Sequence, residues 1–156
     1  MWGPPLSARA DGESIGQMAA LMSGLMYPAA PPLGMPLADV RDVAAAHCAA
    51  LSAGAPGRRY LLGEPCYPLL LAARVLRWTY PGRFWLPLTA APRWLTLLIG
   101  PALGLPRALT RAMWGKKPRM DTTPATQDLG LKTPIPLEQT VVDMAAALLE
   151  LGIVGG

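Results

Sequence analysis

The sequence predicts an α/β chain in which helices far outnumber strands. Apolar residues recur at three- and four-residue spacing in several separated segments, the mark of amphipathic helices, whereas only one short stretch reads as a strand. The 18 prolines and 16 glycines of its 156 residues are spread between those segments, so the chain divides into many short elements. Hydrophobic residues make up 52% and charged residues 15%, which excludes intrinsic disorder and supplies the core of one domain.

Each element follows from its residues. Met1-Trp2 running into Gly3-Pro4-Pro5 reads as the end of a strand entering a loop. From Glu13 to Met26, the residues Ile15, Met18, Leu21, Met22 and Leu25 form one helical stripe, with Gly24 near its end. After a proline-laden connection, Asp42 precedes a run of good helix formers. Its short side-chain oxygen can cap that helix, which closes at Gly54. Tyr60, Leu61 and Leu62, between Gly57 and Gly63, read as a short buried strand.

Pro68 opens another helix, with Leu69, Ala73 and Leu76 on one face, ending before Pro81. From Phe84 to Trp114, prolines at 87, 92, 101 and 106 allow two or three short helices with apolar faces. Asp121 to Thr123 can cap a short helix that ends at Gly130. Pro136 opens the last helix, whose face is Leu137, Val141, Met144, Ala145, Leu148 and Leu149, stopped by Gly152. No internal repeat is present, and the strands are too few for a self-contained sheet.

Several function classes fall away. Cys48 and Cys66 have no His or Cys at metal-ligand spacing, so two free, reduced thiols of a cytoplasmic protein are expected, and no metal. The N-terminus lacks the pattern of a secretory signal. The longest apolar run, 94–105, contains Gly100, Pro101 and Gly104 and is too short to cross a bilayer. Between Arg58 and Arg119 stand eleven Lys or Arg residues and one acid, Glu64. Those cations accompany no recognition-helix or base-stacking motif, so nucleic acid is not an expected partner.

Three segments, in order and spacing, carry a resemblance. They are "MWGPPLSARADGESIGQMAALMSG", "LADVRDVAAAHCAAL" followed by "GRRYLLG", and "DTTPATQDLGLKTPIPLEQTVVDMAAALLELG". Together they resemble the C-terminal half of an extended short-chain dehydrogenase/reductase of the NAD-dependent epimerase/dehydratase family, closest to its dihydroflavonol-reductase-like branch. The resemblance implies one or two strands at the edge of a partial Rossmann-type parallel sheet, joined to a mostly helical substrate-binding lobe. It implies that residues 1–156 are one C-terminal substrate-binding part, with the cofactor-binding half absent and Met1 an internal start.

The family's chemistry is hydride transfer between NAD or NADP and a carbonyl or hydroxyl carbon of a small or apolar molecule. Its members hold the cofactor with a Gly-x-x-Gly-x-x-Gly turn and donate the proton from Tyr-x-x-x-Lys. Gly54 and Gly57 have the first spacing, but position 60 is Tyr. Four places after Tyr27, Tyr60, Tyr67 and Tyr80 stand Pro31, Glu64, Leu71 and Phe84, so no catalytic residue is expected here. The chain alone should bind no cofactor. By resemblance Gly3 and Pro4 border the cofactor, while Trp2, Pro5, Leu6 and Ser7 border a small-molecule substrate. The choice between NAD and NADP, and the dimer helices, belong to the absent half, so oligomeric state stays open.

Two further groups have competing readings. Asp39, Arg41, Asp42 and His47 invite an acid–base story. The plainer expectation is a cap at Asp42, a salt bridge through Arg41 and a partly buried neutral His47 bonded to backbone. The basic middle segment holds Trp78, Phe84, Trp85, Trp94 and Trp114. It fits a lid with solvated arginines, a site for an anionic or bulky apolar substrate, or peripheral contact with a membrane surface. The alternative to a reductase half is thus a non-enzymatic peripheral membrane or interaction module built on the same scaffold, or a truncated gene product.

Overall fold

The computed structural model describes residues 1–9, 12–103 and 105–155. Its architecture is mixed α/β, with helices α1 (Glu13–Met22), α2 (Val40–Ala53), α3 (Pro68–Thr79), α4 (Arg93–Ile99), α5 (Arg107–Met113), α6 (Thr123–Leu129) and α7 (Leu137–Glu150). A 3-10 turn spans Gly100–Leu103. The short strands are β1 (Ala29–Ala30), β2 (Met35–Leu37), β3 (Glu64–Cys66) and β4 (Thr89–Ala90). β1 and β4 pair in parallel, Ala29 opposite Thr89, while β2 and β3 run antiparallel with Met35 opposite Cys66. Trp2 makes an isolated parallel bridge to Asp39.

The core lies between α1, α3 and α7. Met18, Leu21, Leu76, Val141, Met144 and Leu148 are fully buried there, each at the helical spacing that places it on the inner stripe. Burial of one such side chain stabilises by roughly 1.5–3 kcal/mol, so this three-helix cluster dominates the stability. The extended arm 25–38 and the segment 81–119 attach beside it. They meet at Gly34, where a Cβ would stand 1.4 Å from the Lys116 carbonyl oxygen. Only glycine lets those two backbones approach so closely.

The helices follow the sequence closely. α3 starts at Pro68 and α7 directly after Pro136, and α6 ends at Gly130 in the left-handed conformation. Between 93 and 113 two short helices and the 3-10 turn form, as the prolines require.

Four expectations are corrected. The cap of α2 is Asp39, not Asp42. Asp39 has extended backbone angles and its side chain accepts from the Arg41 amide, whereas Asp42 already lies inside the first turn. Residues 58–63 form no strand and Leu61 is half exposed; pairing falls instead at Glu64–Cys66, because the available edge, Met35–Leu37, lies opposite those residues. α1 stops at Met22, and the Gly24–Tyr27 turn takes the rest of the expected helix. His47 is exposed, although its Nδ1 does stand 2.7 Å from the Val43 carbonyl oxygen.

Candidate functional site

The most elaborate polar arrangement is built around Asp39. Trp2 enters beside it, its amide donating to the Ala38 carbonyl at 2.9 Å and its carbonyl accepting from the Val40 amide at 2.7 Å. Asp39 is therefore held where a strand-like segment turns into α2. Its carboxylate is fully buried and takes four bonds: from the Arg41 amide at 2.8 Å, from Arg41 Nε at 2.9 Å and Nη2 at 2.8 Å, and from Thr140 Oγ1 at 2.7 Å. Arg41 Nη1 continues to Asp143 at 2.7 Å, and the Asp42 carboxylate accepts from the Ile135 amide at 2.9 Å. α2 is thereby clasped to α7 and to the loop before it.

Burial alone would push the Asp39 carboxyl upward. The side-chain and amide bonds from Arg41, the Thr140 hydroxyl and the guanidinium charge outweigh it and hold the group below its ordinary 3.8. Arg41 is raised in turn, chiefly by its bond to Asp39. With every oxygen committed, Asp39 has no lone pair turned toward a reactant, and it acts as a clasp, not a general base.

Against this clasp lies a cavity of about 590 Å³ between α2, α6 and residues 130–137. Ala45, Ala49, Leu62, Ala125, Leu129 and Ile135 are among its apolar lining, and its polar lining includes Asp39, Asp42, Glu64, Thr126 and Lys132. That size and character suit a small apolar ligand, whose pockets run roughly 300–1,000 Å³. A second, more open cleft of about 470 Å³ is lined by Cys66, Tyr67, Arg74 and Lys117 among others. Burial pushes the Cys66 thiol up to about 11, with Lys117 opposing, so it is no nucleophile at neutral pH. Lys117 Nζ stands over the Tyr67 ring, 5.3 Å from its centre, and the Tyr67 hydroxyl donates to the Gly115 carbonyl at 3.0 Å. This tyrosine and lysine meet through the ring face, so the ammonium does not support the hydroxyl as a proton donor.

The expected site loop is placed beside the Asp39 clasp. Trp2 is 4% exposed and belongs to the core cluster; Gly3 is buried, and a Cβ there would meet Val40 Cγ1 at 2.5 Å. Pro4 and Pro5 are half-buried, Ser7 is exposed and Leu6 is fully exposed. None of residues 2–7 lines either cavity. Cys48 is exposed, Cys66 buried, and both are free; among the described residues no cluster of metal-ligating side chains forms, and no helix is long and apolar enough to cross a membrane.

A dinucleotide fits none of the glycines where the partial spacing occurs. Gly54 caps the C-terminal end of α2, Gly57 sits in an exposed turn, and residues 58–63 begin no helix whose N-terminus could face a pyrophosphate. No family model matches the chain, and no curated protein matches it. Among solved structures it is similar to the crystal structure of gox2253, with a TM-score of 0.62 and 24% identity over 90% of this chain and 44% of that one. The likeness is one of fold. The chain thus spans less than half the length of that protein.

Sequence reasoning missed Thr140 as the partner of Asp39, 101 residues away. The signal was present: Thr140 interrupts the apolar stripe of the last helix beside Leu137, Val141 and Met144, and a hydroxyl at a core position requires a buried partner.

Proposed function

We propose that this chain is the substrate-binding half of an NAD(P)-dependent oxidoreductase acting on a carbonyl or hydroxyl group of a small or apolar molecule. The supporting observation is convergence. The three segments that resemble the extended short-chain reductases lie far apart in sequence, yet they meet at Asp39, where Trp2 pairs by backbone and Thr140 by side chain. The fold likeness, which takes in most of this chain but less than half of the longer protein, agrees with a half that works beside another.

In this reading a nicotinamide cofactor held by a preceding half supplies the hydride. The residues of this chain contribute position and shelter. Gly3 lets the loop after Trp2 lie close on Val40, and in this reading Pro5, Leu6 and Ser7 of that loop border the substrate. The apolar cavity and its few polar groups supply a dry wall for a ligand with little charge.

The reading is tested on the chain extended through the coding sequence that precedes it. That sequence should carry the glycine turn and Tyr-x-x-x-Lys, and the extended protein should oxidise NADH or NADPH when given apolar aldehydes or ketones. A preceding sequence without those motifs, or an extended protein inert across such a panel, rejects the proposal.

A further inference from the structure

The segment 65–120 contains nine Lys or Arg residues and no acid, and one of its short helices, α4, exposes most of its large apolar side chains. α4 buries a threonine, Thr96, and turns Trp94, Leu98 and Ile99 outward, at 66%, 64% and 44% exposure. Trp94 and Leu98 are four residues apart, so they form one ridge on the helix surface. An amphipathic helix whose apolar side were meant for the core would show the opposite order.

Cations flank that ridge. Arg93 opens α4, and Arg107 at the start of α5 reaches across to donate from Nε to the Leu97 carbonyl at 3.0 Å, with Arg111 one turn further on. A second apolar cluster on the same segment repeats the design. Trp85, 71% exposed, stacks edge-on with Tyr27 at 5.2 Å, Leu88 is also exposed, and Arg83 covers the neighbouring Phe84 ring at 5.4 Å.

We infer that this face docks on an anionic membrane surface, with the Trp94–Leu98 ridge inserted among the lipid headgroups and the arginines paired with their phosphates. Tryptophan and arginine both favour the boundary between water and acyl chains, and an apolar ridge rimmed by cations is the arrangement of an interfacial helix. Charge complementarity selects the occupant. A second copy of this chain would oppose cations to cations, and a nucleic acid would gain nothing from an outward leucine and isoleucine. Neither cavity contains Trp94, Leu98 or Trp85, so the ridge is separate from the proposed substrate wall.

Flotation with phosphatidylcholine vesicles, with and without phosphatidylserine, tests it, because aggregated protein sinks while bound protein rises. The chain should float with the phosphatidylserine vesicles at low ionic strength, with a blue shift of tryptophan emission. Salt should release it, as the Debye length shrinks to about 10 Å at 0.1 M. Arg93→Gln with Arg111→Gln should weaken partitioning by about fivefold for each cation removed. Trp94→Ser with Leu98→Ser should weaken flotation, reduce the blue shift and leave the circular dichroism melt unchanged, since both side chains face outward. Failure to float, equal flotation with neutral vesicles, or unchanged binding by the Trp94/Leu98 variant overturns the inference. So does a dimer in solution that the same variant disperses.

Discussion

The α1–α3–α7 body and the segment 81–119 are both apolar and helical, and they are built on opposite plans. In the body, helices of 10 to 14 residues each turn an apolar stripe inward, and the buried carboxylate packed against it, Asp39, has a partner for both oxygens. In the segment, α4 and α5 are seven residues each, and each fully buries a single threonine; α4 leaves Trp94, Leu98 and Ile99 exposed, and Leu109 and Met113 of α5 are half-buried. The difference teaches that hydrophobicity alone does not locate a core. A helix contributes to the core when its apolar residues fall on the face that meets the rest of the fold, as the stripes of α1, α3 and α7 do.

The sharpest way to break this contrast is truncation of a matched pair of leucines. Leu148→Ala, at a fully buried site of α7, should cost about 3 kcal/mol in urea unfolding. Leu98→Ala, on the exposed ridge of α4, should stay within about 0.5 kcal/mol. Equal costs would mean that the segment is as much a part of the core as the body.

Loss of the clasp comes next. Asp39→Ala removes the α2 cap and strands the Thr140 hydroxyl, and should destabilise by about 2 kcal/mol. Thr140→Val should cost less, and the double variant less than the sum, because the two groups share one bond.

The body should also set the pH dependence. Asp39 has a folded pKa below its unfolded value near 3.8, so its stabilisation is present above that value and is lost as pH falls through the folded pKa. Cys66 behaves in the opposite sense: its folded value near 11 exceeds the ordinary 9.0, so stability should fall as pH rises from 9 toward 11. Denaturation followed across pH in Asp39→Asn and Cys66→Ala should show the acid limb flattened in the first and the alkaline limb in the second.

The smallest expected effect lies in the segment. Among the described residues the Thr110 hydroxyl is buried without a hydrogen-bond partner. Thr110→Val, which keeps the shape and removes the orphan group, should be neutral or should stabilise by up to about 1 kcal/mol, measured by thermal melting.

The helical frame was legible because its signals are local. Pro68, Pro136, Gly130 and Gly152 mark ends through their own backbone restrictions, and the stripes of α1, α3 and α7 depend only on helical spacing. What depended on distant partners was not legible. Tyr60–Leu62 has the composition of a strand, but no edge lies opposite it, whereas Glu64–Cys66 pairs with Met35–Leu37 despite a proline in each. Asp39 and Asp42 are three residues apart and equally suited to capping; the backbone bridge from Trp2 decides between them. The clasp, the Tyr67–Lys117 contact and both cavities arise only when segments tens of residues apart meet.

The proposed function implies a division of labour: a substrate wall in these 156 residues and a dinucleotide cradle outside them. Parallel titration of NADH against this chain and against the chain extended through its preceding coding sequence, followed by nicotinamide fluorescence, tests that division directly. Saturable binding by the extended protein and none by the 156 residues is the predicted result. Saturable binding by the 156 residues would contradict it, because these residues would then hold the cofactor without the glycine turn at a helix N-terminus on which the division rests.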